Sequence, residues 1–139
     1  SIGLNLGELA AVELLDYNFF EGIEAIVPLP IHPKKVKIRG YNQSDLIAEG
    51  IAKVTGLEVL NTSIIKDTNS ASQTRKSRFE RWQNVATAFK VTTTDKLKHK
   101  HVLLVDDVVT TGATAESCGL TLLNVDGLKL SFLSIACTY

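Results

Sequence analysis

Two adjacent aspartates, Asp106 and Asp107, stand between an apolar run and a stretch of small hydroxyl residues. The segment VLLVDDVVTTGAT extends from Val102 to Thr114, and its first four residues are typical of a buried strand. Neighbouring carboxylates repel each other, so the pair marks either an exposed strand end or a place where a cation or hydroxyl groups bind. These residue types favour recognition of a polar ligand at the end of a strand.

The residues after the aspartates have the composition of a phosphate-binding turn. They are Thr110, Thr111, Gly112, Ala113 and Thr114, and they open a predicted helix. Unpaired backbone N–H groups and the helix dipole favour a phosphate there, Gly112 lets the backbone come close, and the threonine hydroxyls donate hydrogen bonds. A phosphate site a few residues from two carboxylates fits a sugar phosphate, whose hydroxyls the carboxylates would bind.

Two other interpretations of this stretch stay open from the residues alone. In the first, Asp106 and Asp107 only end a strand and Thr110 only caps the helix. In the second, the acidic pair is the strand end of a nucleotide-hydrolysing site, but the chain has no G-x-x-x-x-G-K-[ST] segment to accompany it.

The elements that must position these residues alternate between strands and helices. Such alternation predicts an α/β fold with a mostly parallel central sheet flanked by helices, in which ligands bind beyond the carboxyl ends of the strands. The predicted helices are 6–15, a segment after Ser44 that stops at Gly56, and 114–124, and the predicted strands are 24–30, 57–60, 85–91, 102–105 and 128–137.

Composition predicts one globular domain in a reducing, cytoplasmic setting. The chain has 139 residues, 45% hydrophobic and 22% charged, and its 15 basic and 15 acidic residues balance, so no overall field favours nucleic acid or a membrane surface. Cys118 and Cys137 are not in metal-ligand spacing, and no apolar run is long enough for a membrane span. The chain starts at Ser1 and contains no methionine, so we expect it to be a piece of a longer protein.

The segment VLLVDDVVTTGAT closely resembles the phosphoribosyl pyrophosphate (PRPP) signature of type I phosphoribosyltransferases. The resemblance implies that Asp106 and Asp107 bind the ribose 2′- and 3′-hydroxyls and that Thr110 to Thr114 bind the 5′-phosphate. It also implies Mg²⁺ as the cofactor, held at Asp106 and Asp107 through substrate or water. Purine-salvage members usually have aspartate where Thr110 stands, which counts against purine salvage.

Three segments in order, PLPIHPKKVKIRGYNQSDLIA, SQTRKSRFERWQNVATAF and the PRPP signature, are similar to the ComF/GntX family of competence-associated, phosphoribosyltransferase-like proteins. The similarity covers the chain from about Ile23 to its end. It implies a flexible hood over the site at about residues 66–84. Members often carry an N-terminal four-cysteine zinc module, which we expect to be absent from this two-cysteine chain.

The same resemblance places the leaving pyrophosphate near two basic stretches. The loop after the first strand would hold it, through Pro30, Ile31, His32, Lys34 and Lys35. Arg39 and Arg81 lie inside the family-like motifs and are the candidate catalytic residues. The alternative for any single lysine or arginine is a solvated surface position, and Asn42 or Ser44 is expected to cap the following helix.

We therefore predict Mg²⁺-dependent transfer of a phosphoribosyl group to an unknown acceptor, such as an amine or ammonia, with release of pyrophosphate. The alternative is a non-catalytic adapter in competence or DNA uptake that keeps the fold and the sugar-phosphate site. The predicted partner is PRPP. A protein of the competence machinery, direct DNA binding and a homodimer stay open, and no membrane partner is expected.

Overall fold

The elements of the fold are described here for residues 1–67 and 88–138 of a computed structural model. These residues contain both helices and strands, as the sequence predicts. In chain order they are α1 (Ile2–Leu15), β1 (Ala25–Pro28), α2 (Pro33–Arg39), α3 (Gln43–Thr55), β2 (Glu58–Val59), β3 (Ile64–Lys66), β4 (Phe89–Val91), β5 (His101–Val109), α4 (Ala113–Leu123) and β6 (Lys129–Cys137).

Four parallel strands form the central sheet, in the order β2-β1-β5-β6. Side chains of β5 alternate between its two faces, and both faces are buried: Val102 and Leu104 belong to one core cluster, and Leu103 and Val105 to the other. A parallel strand covered on both sides needs such a continuous apolar run. The predicted α/β fold with a mostly parallel, helix-flanked sheet is confirmed.

Helices α1 and α3 cover one face of the sheet and pack closely against each other. A Cβ on Gly7 would lie 2.2 Å from the carbonyl oxygen of Ile47, and one on Gly50 would lie 2.2 Å from that of Leu4. Only glycine permits this backbone approach. The opposite face is covered by α4 and by a separate antiparallel pair, β3 and β4.

Two elements were not predicted from the sequence. The basic segment after β1 contains the short helix α2, which begins with Pro33 at its first turn and stops at Gly40, where φ is +80°. These are ordinary start and stop signals, but the lysine-rich segment lacks the apolar periodicity that predicts a helix. Strand β3 has three residues and gains its partner β4 from a distant part of the chain.

The strand that carries the aspartates is longer than predicted. The apolar run ends at Val105, yet β5 continues to Val109 because its hydrogen bonds to β6 continue, pairing Val108 with Ala136 and Val109 with Cys137. Strand β1 stops earlier, at Pro28, which pairs with Val105. Residues beyond Val105 therefore lie past the carboxyl end of the neighbouring strand.

The predicted hood falls mostly outside the described residues. Its first two residues, Lys66 and Asp67, are described, and so is Phe89–Val91 of the strand predicted over 85–91. Among the described residues, none of the helices is long and apolar enough to span a bilayer.

Candidate phosphoribosyl site

The two aspartates lie at the end of β5 with different surroundings. Asp106 is only 7% exposed, whereas Asp107 is half-buried. The Asp107 N–H donates to Oδ1 of Asp106 at 2.8 Å, and the Val108 N–H donates to Oδ1 of Asp107 at 2.8 Å. The backbone thus holds both carboxylates close to the strand end.

Burial raises the pKa of Asp106 to about 6, and the Asp107 side chain adds to the rise while the Asp107 N–H opposes it. In the described part of the chain, the one ion pair found joins Lys53 to Glu8, far from this carboxylate in the sequence. No ion pair among the described residues therefore neutralises the charge of Asp106. Such a carboxylate is suited to bind a cation or hydroxyl groups.

The turn after β5 leads directly into α4. Gly112 is the N-cap with φ of +82°, and it offers no side-chain hydrogen bond to the helix. The first intrahelical bond runs from the Glu116 N–H to the Gly112 carbonyl, at 2.8 Å. The N–H groups before Glu116 have no helical partner, although Oγ1 of Thr111 accepts from the Ala113 N–H at 3.3 Å. The alternative in which Thr110 caps the helix is wrong, because Gly112 occupies that position.

A cavity of about 180 Å³ brings the strand end and the turn together. Asp106 lines it, and Asp107 is not among the lining residues. Leu29, which directly follows β1, also lines it. All five predicted phosphate-binding residues contribute to the lining: Thr110, Thr111, Gly112, Ala113 and Thr114.

The predicted pyrophosphate loop is anchored by Asn42. The Nδ2 of Asn42 donates to the Leu29 carbonyl at 3.1 Å, and its Oδ1 accepts from the Ser44 N–H at 3.1 Å. Asn42 is buried and is the N-cap of α3. Of the two capping residues predicted, Asn42 and Ser44, the structure therefore confirms Asn42. One side chain thus ties the loop after β1 to the start of α3.

Pro30 and Ile31 line a second, larger cavity of about 630 Å³. His32 is the N-cap of α2, because its Nδ1 accepts from the Lys34 N–H at 3.1 Å. Lys34 and Lys35 follow in the first turn, both exposed.

Arg39 and Arg81, the predicted catalytic residues, are not placed by the described structure. Arg39 is the last residue of α2, but its side chain lies outside the described part, and Arg81 lies entirely outside the described residues.

Oxygen ligands from two adjacent carboxylates fit Mg²⁺, which proteins usually bind through one or two carboxylates together with substrate phosphates. No cluster of three or more His, Cys, Asp or Glu residues that could hold a metal occurs within 1–67 and 88–138.

Lys66, the last residue of β3, was predicted only as the first residue of the hood and not as a site residue. Its Nζ lies 4.6 Å from the centre of the Phe89 ring, and the side chain lines the larger cavity with Pro30 and Ile31. Burial, and then the charge of Lys35, lowers the pKa of Lys66. A lysine at the edge of a polar segment carries no sequence signal of its own, because only folding brings it to this loop.

Comparison with known protein sequences finds relatives that are named competence protein F or DNA utilization protein YhgH. The chain is 34% identical over 92 residues to competence protein F of Haemophilus influenzae, covering 66% of this chain and 40% of that protein. It is 30% identical over 123 residues to DNA utilization protein YhgH of Escherichia coli K12, covering 86% and 53%. The corresponding protein of Salmonella typhi is 34% identical over 102 residues, covering 73% and 44%. The chain thus spans about half the length of these relatives or less, and no protein-family model matches it.

Structure comparison independently supports the fold. The chain superposes on the glutamine PRPP amidotransferase of B. subtilis, solved with ADP and GMP, with a TM-score of 0.69 at 20% sequence identity. The superposition covers 97% of this chain and 26% of that one. With the competence protein F and YhgH relatives, this shows that the chain belongs to the ComF family and has the type I phosphoribosyltransferase-like fold.

Proposed function

We propose that the chain binds PRPP with Mg²⁺ and transfers its phosphoribosyl group to a nucleophilic acceptor. The observation that carries the proposal is the cavity of about 180 Å³ in which Asp106 and the turn from Thr110 to Thr114 meet at the end of β5. Its lining offers groups of opposite character, a carboxylate at the strand end and N–H groups without a helical partner at the helix start. A ribose 5-phosphate has the matching hydroxyls and phosphate.

The 5′-phosphate would bind at the turn before α4. The unpaired N–H groups there and the positive end of the helix dipole stabilise negative charge, and the threonine hydroxyls add donors. Gly112, with φ of +82°, gives the turn its shape without a side chain in the way.

The ribose hydroxyls and the metal would bind at Asp106 and Asp107. Mg²⁺, when bound, supplies Lewis-acid neutralisation of the pyrophosphoryl oxygens. The residues of the chain orient the ribose between the strand end and the turn. They thereby fix the anomeric carbon relative to the loop from Leu29 to Pro33.

In the proposed reaction, the bond between the anomeric carbon and the pyrophosphate oxygen breaks, and its electron pair leaves with pyrophosphate. A new bond forms between that carbon and the acceptor, which loses a proton. Lys34 and Lys35 stand at the start of α2, beside the loop that would face the leaving group. Cationic side chains there stabilise the negative charge that develops.

Binding of two sugar phosphates tests the ribose half of the site. One hydrogen bond to a charged group is worth about 1.5–3 kcal/mol, so ribose 5-phosphate should bind about 10- to 150-fold more tightly than 2-deoxyribose 5-phosphate. Asp106→Asn should reduce that ratio, whereas Thr114→Val should weaken both ligands by a similar factor. Thr121→Val, on the same helix outside the cavity lining, is the matched control. Equal affinities of wild type for the two sugars would contradict the proposed roles.

Turnover is tested by release of pyrophosphate from PRPP in a screen of ammonia, amines and nucleobases. We expect at least one acceptor to stimulate release, and Asp107→Ala to abolish both release and calorimetric binding of PRPP. Binding without release by any acceptor would favour the second candidate below.

The second candidate is an adapter in DNA uptake or use that retains the sugar-phosphate site without turnover. The names of the relatives, a competence protein and DNA utilization proteins, favour it. The balanced charge of the chain weakens the case for direct DNA contact. Salt-dependent binding of single-stranded DNA, lost on neutralising Arg75, Lys76 and Arg78, would support this candidate, and absent or salt-insensitive binding would count against it.

A further inference from the structure

Strand β6 lies at one edge of the central sheet, and only one of its two sides is paired. It pairs with β5 from Lys129 to Cys137, and within 1–67 and 88–138 no strand lies on its other side. An unpaired edge offers N–H and C=O groups to another strand, and proteins usually protect such edges with short strands, prolines or charges. The opposite edge strand, β2, has only two residues, whereas β6 has nine, KLSFLSIAC, with no proline and one charged residue, Lys129, at the start. Most of the β6 edge is therefore open to pairing.

An apolar groove of about 360 Å³ adjoins this edge and is lined mainly by α4 and β6. Leu120 and Leu123 of α4 line it and are 48% and 49% exposed, and Phe132 of β6 lines it and is 40% exposed. Large apolar side chains that are grouped and half-exposed on a surface mark an interaction site. Because Phe132 belongs to both the groove and the edge strand, one partner can cover the two together.

The two ends of this surface carry opposite charges. Lys129 is exposed at the first residue of β6. Glu116 is exposed in the first turn of α4 and lines the groove with Val109, whose partner Cys137 is the last residue of β6. Glu116 therefore lies toward the end of β6 and Lys129 at its beginning. Neither forms an ion pair with another residue in the part of the chain that the structure describes.

A second copy of the chain complements the edge, the groove and both charges. Antiparallel pairing of two β6 strands about a twofold axis sets the beginning of each strand against the end of the other, so Lys129 of each copy comes near Glu116 of the other. The same axis places the two α4 helices on one face of the joined sheets, where their Leu120 and Leu123 side chains meet. The 15 basic and 15 acidic residues of the chain balance, so no net charge keeps the copies apart.

We propose that the chain forms a twofold dimer through antiparallel pairing of its β6 strands and contact between its α4 helices. The two four-stranded sheets then become one continuous sheet across the interface. Burial of the apolar groove supplies most of the affinity, while the pairs of Lys129 with Glu116 fix the antiparallel orientation. The dimer does not depend on the proposed phosphoribosyl transfer and goes beyond it.

Sedimentation velocity over a range of protein concentrations tests the interface. The wild type should shift from monomer to dimer as its concentration rises. Leu120→Lys places a charge in the apolar contact between the α4 helices and should raise the dimer dissociation constant about tenfold or more. Leu9→Lys is the matched control, because Leu9 is 65% exposed on α1, which covers the other face of the sheet, and its replacement should leave that constant unchanged.

Charge reversal tests the antiparallel orientation. Glu116→Lys and Lys129→Glu each bring like charges together at both ends of the interface, so each variant alone should dimerise more weakly than the wild type. In an equal mixture of the two variants, every contact between copies joins a lysine to a glutamate. The mixture should therefore form a heterodimer about fivefold tighter than either homodimer, since exposed ion pairs are individually weak.

Three results would overturn the proposed dimer. A wild type that stays monomeric at every concentration would do so, and so would a dimer that Leu120→Lys leaves as tight as before, because such a dimer uses another surface. A mixture of the two charge variants that dimerises no better than each variant alone would exclude the antiparallel pairing. A thermal melt checks that each variant is folded. Glu116 and Lys129 are both exposed, so we expect the charge variants to fold and to decide the test even if Leu120→Lys does not fold.

Discussion

Replacing Asp106 with asparagine should stabilise the fold, and the gain should depend on pH. Burial raises the pKa of Asp106 from its ordinary value of 3.8 to about 6 in the folded chain. The folded state therefore holds a proton that the unfolded state has lost, and wild-type stability falls as pH rises between these two values. The asparagine variant does not ionise, so it escapes this loss above pH 6 and gains little near or below pH 4.

The size of the effect follows from the pKa. At about 1.4 kcal/mol per pKa unit, the difference between 3.8 and about 6 corresponds to about 3 kcal/mol at neutral and higher pH. The amide oxygen still accepts from the Asp107 N–H, and solvent relaxation lessens the gain, so we expect about 1–3 kcal/mol at pH 8. For a chain of this length that is a rise in Tm of about 3–12 °C.

Urea unfolding followed by circular dichroism at about pH 4.5 and pH 8 measures this difference. Asp95→Asn is the control, because Asp95 is exposed and its replacement should change the free energy of unfolding by less than about 0.5 kcal/mol at either pH. A gain for Asp106→Asn that is equal at both pH values, or a loss at pH 8, would refute the reasoning. If Asp106→Asn is more stable than the wild type but no longer binds ribose 5-phosphate more tightly than 2-deoxyribose 5-phosphate, the buried Asp106 charge lowers stability and serves ligand binding.

Three further predictions concern packing and the loop after β1. Asn42→Ala should lower the free energy of unfolding by about 2–4 kcal/mol, measured by urea unfolding, and weaken PRPP binding, because it removes both the α3 cap and the bond to the Leu29 carbonyl. Gly7→Ala should destabilise the fold by about 2 kcal/mol or more in the same assay, because its Cβ would lie 2.2 Å from a backbone oxygen of α3. In native protein a thiol reagent should label the exposed Cys137 only, since Cys118 is buried and its pKa is raised to about 12; mass spectrometry identifies the labelled residue.

These predictions have separate failure criteria. If Asn42→Ala has the same free energy of unfolding as the wild type, the loop after β1 does not depend on the hydrogen bond from Asn42. If Gly7→Ala is as stable as the wild type, α1 does not approach α3 as closely as described. Gly40→Asn, at a left-handed position with open space around it, is the milder glycine control. Rapid labelling of Cys118 without denaturant would place α4 differently from the described fold.

Parts of the fold that rest on local sequence signals were predictable. The apolar run Val102–Val105 predicted a strand buried on both faces, and Gly56 predicted the end of α3, where φ is +76°. The turn between β5 and α4 could also be located, because its residues are contiguous between a strand and a helix, whereas phosphate binding there stays a prediction.

Features that depend on distant pairing were not predictable. Strand β5 was expected to stop at its aspartates, because two charges are unfavourable inside a strand, yet its pairing with β6 carries it to Val109. Strand β3 is defined only by pairing with β4, and the bond from Asn42 to Leu29 spans 13 residues. Lys66 was missed as a residue beside the loop after β1 for the same reason: the Phe89 ring under its ammonium group belongs to another strand, and sequence spacing holds no record of this contact.

The most direct test of the central claim is a calorimetric titration of the wild-type chain with PRPP in Mg²⁺ at about pH 8. We predict saturable binding at one site, displaced by ribose 5-phosphate and lost in Asp107→Ala. No binding of either PRPP or ribose 5-phosphate by the folded wild-type chain would contradict the claim that the end of β5 and the turn before α4 form a phosphoribosyl site.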